Sequence, residues 1–110
     1  MFAINNNPIT TIDLIQRINY LSIFNDFDIK NINKNEYIDD LISVKLFNEY
    51  IIRRNLKIEQ KEIVSTFNLI FVNNKKKIEE LIKNKELTKE IILTNIRYDL
   101  QKKKTLEFLL

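Results

Sequence analysis

No glycine occurs anywhere in this chain. That absence constrains it more than any residue it contains. A left-handed turn must be made by another residue type, and asparagine, which tolerates that region better than most, is abundant. Phosphate-cradling loops require glycine backbones, so that class of nucleotide site is excluded. The acidic stretch from Asp26 to Glu36 does not fit a calcium loop either, because it lacks the turn glycine and enough oxygen ligands. Cysteine and histidine are missing as well. Disulfides, thiol chemistry, imidazole catalysis and most transition-metal binding are thereby removed. Carboxylates, lysines and hydroxyls remain, so no catalytic residue, metal or cofactor is expected and the chain is read as a non-enzyme.

The 110 residues suit one domain spanning 1–110, with a β-ribbon over 1–10 and helices over 11–110. A 45% hydrophobic and 30% charged composition belongs to a folded chain with a core of its own. Isoleucine, asparagine and lysine are heavily used and alanine appears only at Ala3, the usage of an AT-rich genome. The net charge of +3 therefore argues only weakly for nucleic acid, whose binders concentrate cations on one face. Uninterrupted apolar runs reach about four residues, as at Leu69 to Val72, far short of the ~20 that span a bilayer. Met1-Phe2-Ala3-Ile4 lacks the basic flank and long apolar stretch of a secretory signal.

Hydropathy patterning predicts a mainly α fold of about five helices behind a short N-terminal β-hairpin. Phe2-Ala3-Ile4, a turn at Asn5-Asn6-Asn7 and Pro8-Ile9-Thr10 read as the hairpin, with proline at a strand start. Thr10 with Asp13 three positions on is a capping-box variant, and it opens a helix running to about Phe24. Ile12, Leu14, Ile15, Ile18 and Leu21 give that helix a broad apolar face. Residues 25–34 form an asparagine-rich connection.

The second helix, from about Asn35 to Arg54, is apolar over more than half its circumference and is expected to be central. Asn55 stands where a glycine would ordinarily stop it, with Leu56 folding back. A third helix from near Glu59 carries Ile63, Phe67, Ile70 and Phe71 as one stripe and ends at Asn73-Asn74. Lys75 to Lys83 is a short helix with Ile78, Leu81 and Ile82 inward. Thr88 caps the last one, whose stripe is Ile92, Ile96 and Leu100. The tail Leu106-Glu107-Phe108-Leu109-Leu110 reads as an interrupted element or a surface for a partner.

The runs Lys75-Lys76-Lys77 and Lys102-Lys103-Lys104 invite a phosphate-binding reading. Neither is interleaved with aromatics or arginines, and both neighbour acids, so a solvated surface is favoured. Asp26 with Asp28, and Asp39 with Asp40, could pair as catalytic carboxylates, but no pocket motif supports them. Most aromatic residues fall on helical core faces. Should some stay outside, an apolar patch of a few hundred Å² would mark a polypeptide-binding surface.

The order of these signals resembles a known family. Ile9-Thr10 followed by Asp13-Leu14 is similar to its opening motif. Leu41-Ile42, Lys45-Leu46, Arg54-Asn55-Leu56-Lys57-Ile58 and Glu62-Ile63 resemble its second signature. Thr88 to Leu100, with Ile96-Arg97, is similar to its closing helix. The family is the N-terminal domain of SurA-type periplasmic chaperones and related foldases that carry a parvulin-type peptidyl-prolyl isomerase domain. The chain departs from the pattern at Asn55 and Glu86, where the family prefers glycine. No parvulin domain is present, so isomerase activity is not implied. The resemblance implies a periplasmic chaperone module that holds unfolded or extended envelope and outer-membrane proteins in transit.

Tyr20, Phe24, Phe27, Tyr50 and Tyr98 are the candidate peptide-contacting residues, being tyrosines or phenylalanines near loops. Self-association through the N-terminal strand and the apolar C-terminal tail is a second expectation. Neither nucleic acid nor membrane insertion is expected. The alternative is a small basic helical nucleic-acid-binding protein, whose affinity would fall steeply with salt.

Overall fold

A computed structural model describes residues 2–4, 7–25 and 34–109. The turn expected at Asn5-Asn6, most of the asparagine-rich connection and Phe27 lie outside the described residues. Among the described residues the architecture is mainly helical: α1 (Thr11–Leu21), α2 (Lys34–Arg53), α3 (Gln60–Asn73), α4 (Lys75–Lys83) and α5 (Lys89–Leu109). None of these helices is long and apolar enough to cross a membrane.

Local chemistry starts and stops them. Thr10 Oγ1 accepts the Asp13 amide at 3.1 Å, and the Asp13 carboxylate accepts the Thr10 amide at 3.1 Å, closing the capping box of α1. Thr88 Oγ1 accepts the Ile91 amide at 3.2 Å at the start of α5. The end of α2 is a Schellman turn: Asn55 takes φ 53°, its amide donates to Ile52 O, and Leu56 N–H donates to Ile51 O. The end of α4 repeats it: the left-handed residue is Lys85 (φ 61°), whose amide donates to Ile82 O, and the Glu86 amide makes the long bond back to Leu81 O.

Among the described residues, two apolar clusters form the interior. Tyr20, Ile23, Ile63, Ile78, Leu81, Leu87, Ile92 and Ile96 join the end of α1 to α3, α4 and α5. Leu14, Ile18, Leu41 and Val44 join α1 to α2, with Tyr98 of α5 packed against them. α5 packs on α1, α2 and α3, and α2, expected to be central with neighbours on two sides, packs on α1 and α5 and also meets residues Phe2–Ile4. The apolar tail belongs to α5, which runs through the lysine run to Leu109.

Three stripes are narrower than the sequence implied. Ile12 and Ile15 of α1, Leu46 and Ile52 of α2, and Ile82 of α4 are exposed. Each helix here has fewer neighbours than its apolar circumference could cover.

Between the clusters lies a buried cation. Arg17, 3% exposed, donates from Nε to Asp40 at 2.7 Å and from Nη2 to Asp99 at 2.7 Å, and from Nη1 to Asn95 Oδ1 at 3.3 Å. One guanidinium thus ties α1 to both α2 and α5. Burial alone would lower its pKa, but the two carboxylates more than offset that, so it lies above the ordinary value. The ring of Tyr20 lies 5.5 Å from the guanidinium carbon.

Candidate functional site

The packing of α2 on α5 leaves a groove along their outer edge. Its floor and one wall come from a stripe of α2, Asp39, Ile42, Ser43, Leu46, Phe47 and Tyr50, and its other wall from Thr105 and Leu109 of α5. The groove encloses about 400 Å³. Helical geometry explains the stripe, since positions three, four and seven apart share a face. The opposite side of α2 carries Leu41, Val44 and Ile51 into the interior.

Leu46 is 50% exposed and Leu109 61% exposed, so both walls present branched apolar side chains to solvent. Leu106 and Phe108 extend the exposed apolar surface along the last turn of α5. Cations decorate this surface. Lys102 Nζ lies 5.8 Å from the centre of the Phe47 ring, and the Arg54 guanidinium lies 5.4 Å from that of Tyr50.

The five peptide-contacting candidates scatter. Tyr50 lines the groove. Phe24 is exposed but lies at the end of α1, its ring edge-on to Tyr20 with 5.4 Å between centroids. Tyr98 faces a different cleft of about 160 Å³, shared with Asp13, Gln16, Lys45, Glu90 and Thr94, and its hydroxyl accepts from Lys45 Nζ at 3.0 Å. Tyr20 is a correction: at 2% exposure it is sealed inside the larger cluster, because its ring fills the space between α1, α5 and the α4–α5 turn. Phe27 lies outside the described residues.

Ile42, Leu46 and Phe47 line the groove although their apolar periodicity reads as core, and Leu109 comes from the tail that the sequence marks as an interrupted element or a partner surface. The available signal is the surplus itself, more apolar positions on α2 than its neighbours cover. The lysine runs form no common cationic face with aromatics. Lys104 donates to the Lys57 carbonyl at 2.7 Å, Lys102 sits over Phe47, and Lys75 and Lys76 open α4 elsewhere. Of the paired carboxylates, Asp40 is committed to Arg17 and Asp39 lies at the groove's end. Asp26 and Asp28 lie outside the described residues.

No family model matches this chain, and no match is found among characterised proteins or solved structures.

Proposed function

We propose that the chain is a polypeptide-binding module that holds unfolded or extended protein segments in the α2–α5 groove. One observation carries the reading: a groove of about 400 Å³ whose two walls expose Leu46 and Leu109. Covering such side chains releases roughly 25 cal/mol per Å² of apolar surface, enough for weak, reversible holding by several contacts and release without a nucleotide. On this reading the activity is binding, not catalysis, and proline isomerisation is expected to stay at background.

The resemblance to the N-terminal domain of SurA-type chaperones belongs to this proposal, together with a periplasmic location and envelope-protein clients. The family's N-terminal hairpin belongs to it too, and antiparallel backbone pairing of Phe2 with Ile9 and Ala3 with Pro8 supports that part. An edge strand there could add backbone pairing to a client.

The test is fluorescence anisotropy with a labelled, permanently unfolded polypeptide across a salt series. Binding that changes little with salt and weakens in Leu46→Gln and Tyr50→Ala supports the reading. No binding, or binding indifferent to both substitutions, sinks it. Preference for an oligonucleotide, with affinity collapsing as salt rises, would establish the nucleic-acid alternative.

A further inference from the structure

The outer stripe of α2 has a symmetry that its use as a groove wall does not require. Leu46 stands at its middle, and Asp39 and Arg53 each lie seven positions away, on the same line of the helix surface. Ile42 and Tyr50 each lie four positions from Leu46, on opposite sides. The stripe is therefore acid, apolar, leucine, apolar, base from one end to the other. Laid antiparallel on a copy of itself about a two-fold axis at Leu46, it sets Asp39 against the partner's Arg53 twice, and Ile42 against the partner's Tyr50 twice. The charged ends are about 21 Å apart along the helix, a span that one α2 matches in another by construction of the symmetry. Asp39 and Arg53 are both exposed, and neither forms a salt bridge among the described residues.

We propose that the occupant of the groove is the α2 helix of a second copy of this chain, packed antiparallel about Leu46. This rests on the reading of the groove as a polypeptide site and names its occupant. The interface is isologous, so each copy both fills and is filled, and the assembly closes at two. Heptad spacing of Asp39, Leu46 and Arg53 suits helices crossing at a shallow angle, and the exposed Leu109 flanks the entering helix. The sequence points to self-association at the first strand and the tail; the charge pattern adds α2, with the tail residue Leu109 beside it. Dimerisation then covers the surface that clients need, so foreign chains and the second copy compete, and dilution opens the groove.

Sedimentation equilibrium over a concentration series tests this on the intact chain. Wild type populates a reversible dimer. Asp39→Arg and Arg53→Asp each place like charges opposite one another and weaken dimerisation ~10-fold or more. The double variant, Asp39→Arg with Arg53→Asp, restores the pairs with reversed sign and returns to within ~3-fold of wild type. Helical circular dichroism accompanies each variant, and since both sites are exposed the monomers stay folded. A wild type that remains monomeric throughout, a dimer indifferent to the single substitutions, or a double variant no tighter than the singles overturns the proposal. Client binding by a strictly monomeric wild type would sink the dimer while sparing the groove's proposed function. A charge-dependent dimer that binds no client at any dilution would do the reverse.

Discussion

Arg17 shows how one side chain can hold three helices in register. Its guanidinium is buried, yet its partners Asp40 and Asp99 have side chains 30% and 43% exposed, so the network reaches from interior to surface. Replacing Arg17 with Met leaves both carboxylates unmatched beside an apolar side chain. The expected loss is about 3 kcal/mol, read from urea unfolding, with Asp40→Asn and Asp99→Asn costing less because water can replace their partner. Tyr20 makes a pH prediction in the same neighbourhood. Burial pushes its phenol pKa well up, and Asp99 adds to the shift while Arg17 opposes it. The unfolded chain releases that proton near pH ~10 and the folded chain holds it, so the contribution is complete below about pH 10 and is lost as pH rises further. Wild type therefore loses stability there faster than Tyr20→Phe, by up to about 1.4 kcal/mol per pH unit. Parallel urea titrations of the two proteins at alkaline pH, which cancel the other tyrosines and lysines, check this.

At the scale of the element, the chain's lack of glycine has a measurable cost. Two Schellman turns need a left-handed residue, and they use Asn55 and Lys85. Asparagine tolerates that region; a lysine, with its Cβ against the following carbonyl, does so at about 1 kcal/mol. Lys85→Gly should relieve the clash and raise stability by ~0.5 kcal/mol after the added freedom of the unfolded chain is deducted. Asn55→Gly should gain less. Thermal unfolding of the two variants side by side decides it, and equal gains would show that side-chain type at the turn does not matter. The capping box of α1 needs no such compromise, because Thr10 and Asp13 satisfy each other's amides.

At the scale of the whole fold, the five helices of the described residues leave part of their apolar faces uncovered, and α2 shows the division along one helix. Val44 is fully buried and Leu46, two positions on, is half exposed. Stability and binding should therefore separate between them. Val44→Ala opens a cavity between α1 and α2 and is expected to cost about 2 kcal/mol with the groove intact. Leu46→Gln should change stability by less than ~0.5 kcal/mol while weakening both client holding and dimerisation. Urea midpoints set beside anisotropy titrations distinguish them, and a large stability loss in Leu46→Gln would place that residue in the core after all.

What this sequence determines by itself is whatever depends on residues within a turn of one another. The Thr10 cap, the Asn55 stop, the bounds of α4 and the helical period of α3 are legible because a cap bond, a left-handed stop and an apolar stripe are local. The packing of α5 on α1, α2 and α3, the burial of Arg17 and Tyr20, the exposure of Ile12 and Ile15, and the opening of a groove beside Leu46 are not local. Periodicity marks which residues share a face, but an isoleucine reads the same whether or not a neighbouring helix arrives to cover it. A buried arginine reads as a surface one until Asp40 and Asp99 are brought to it from two other helices. Tertiary packing alone decides those, because covering a face takes a partner distant in the chain.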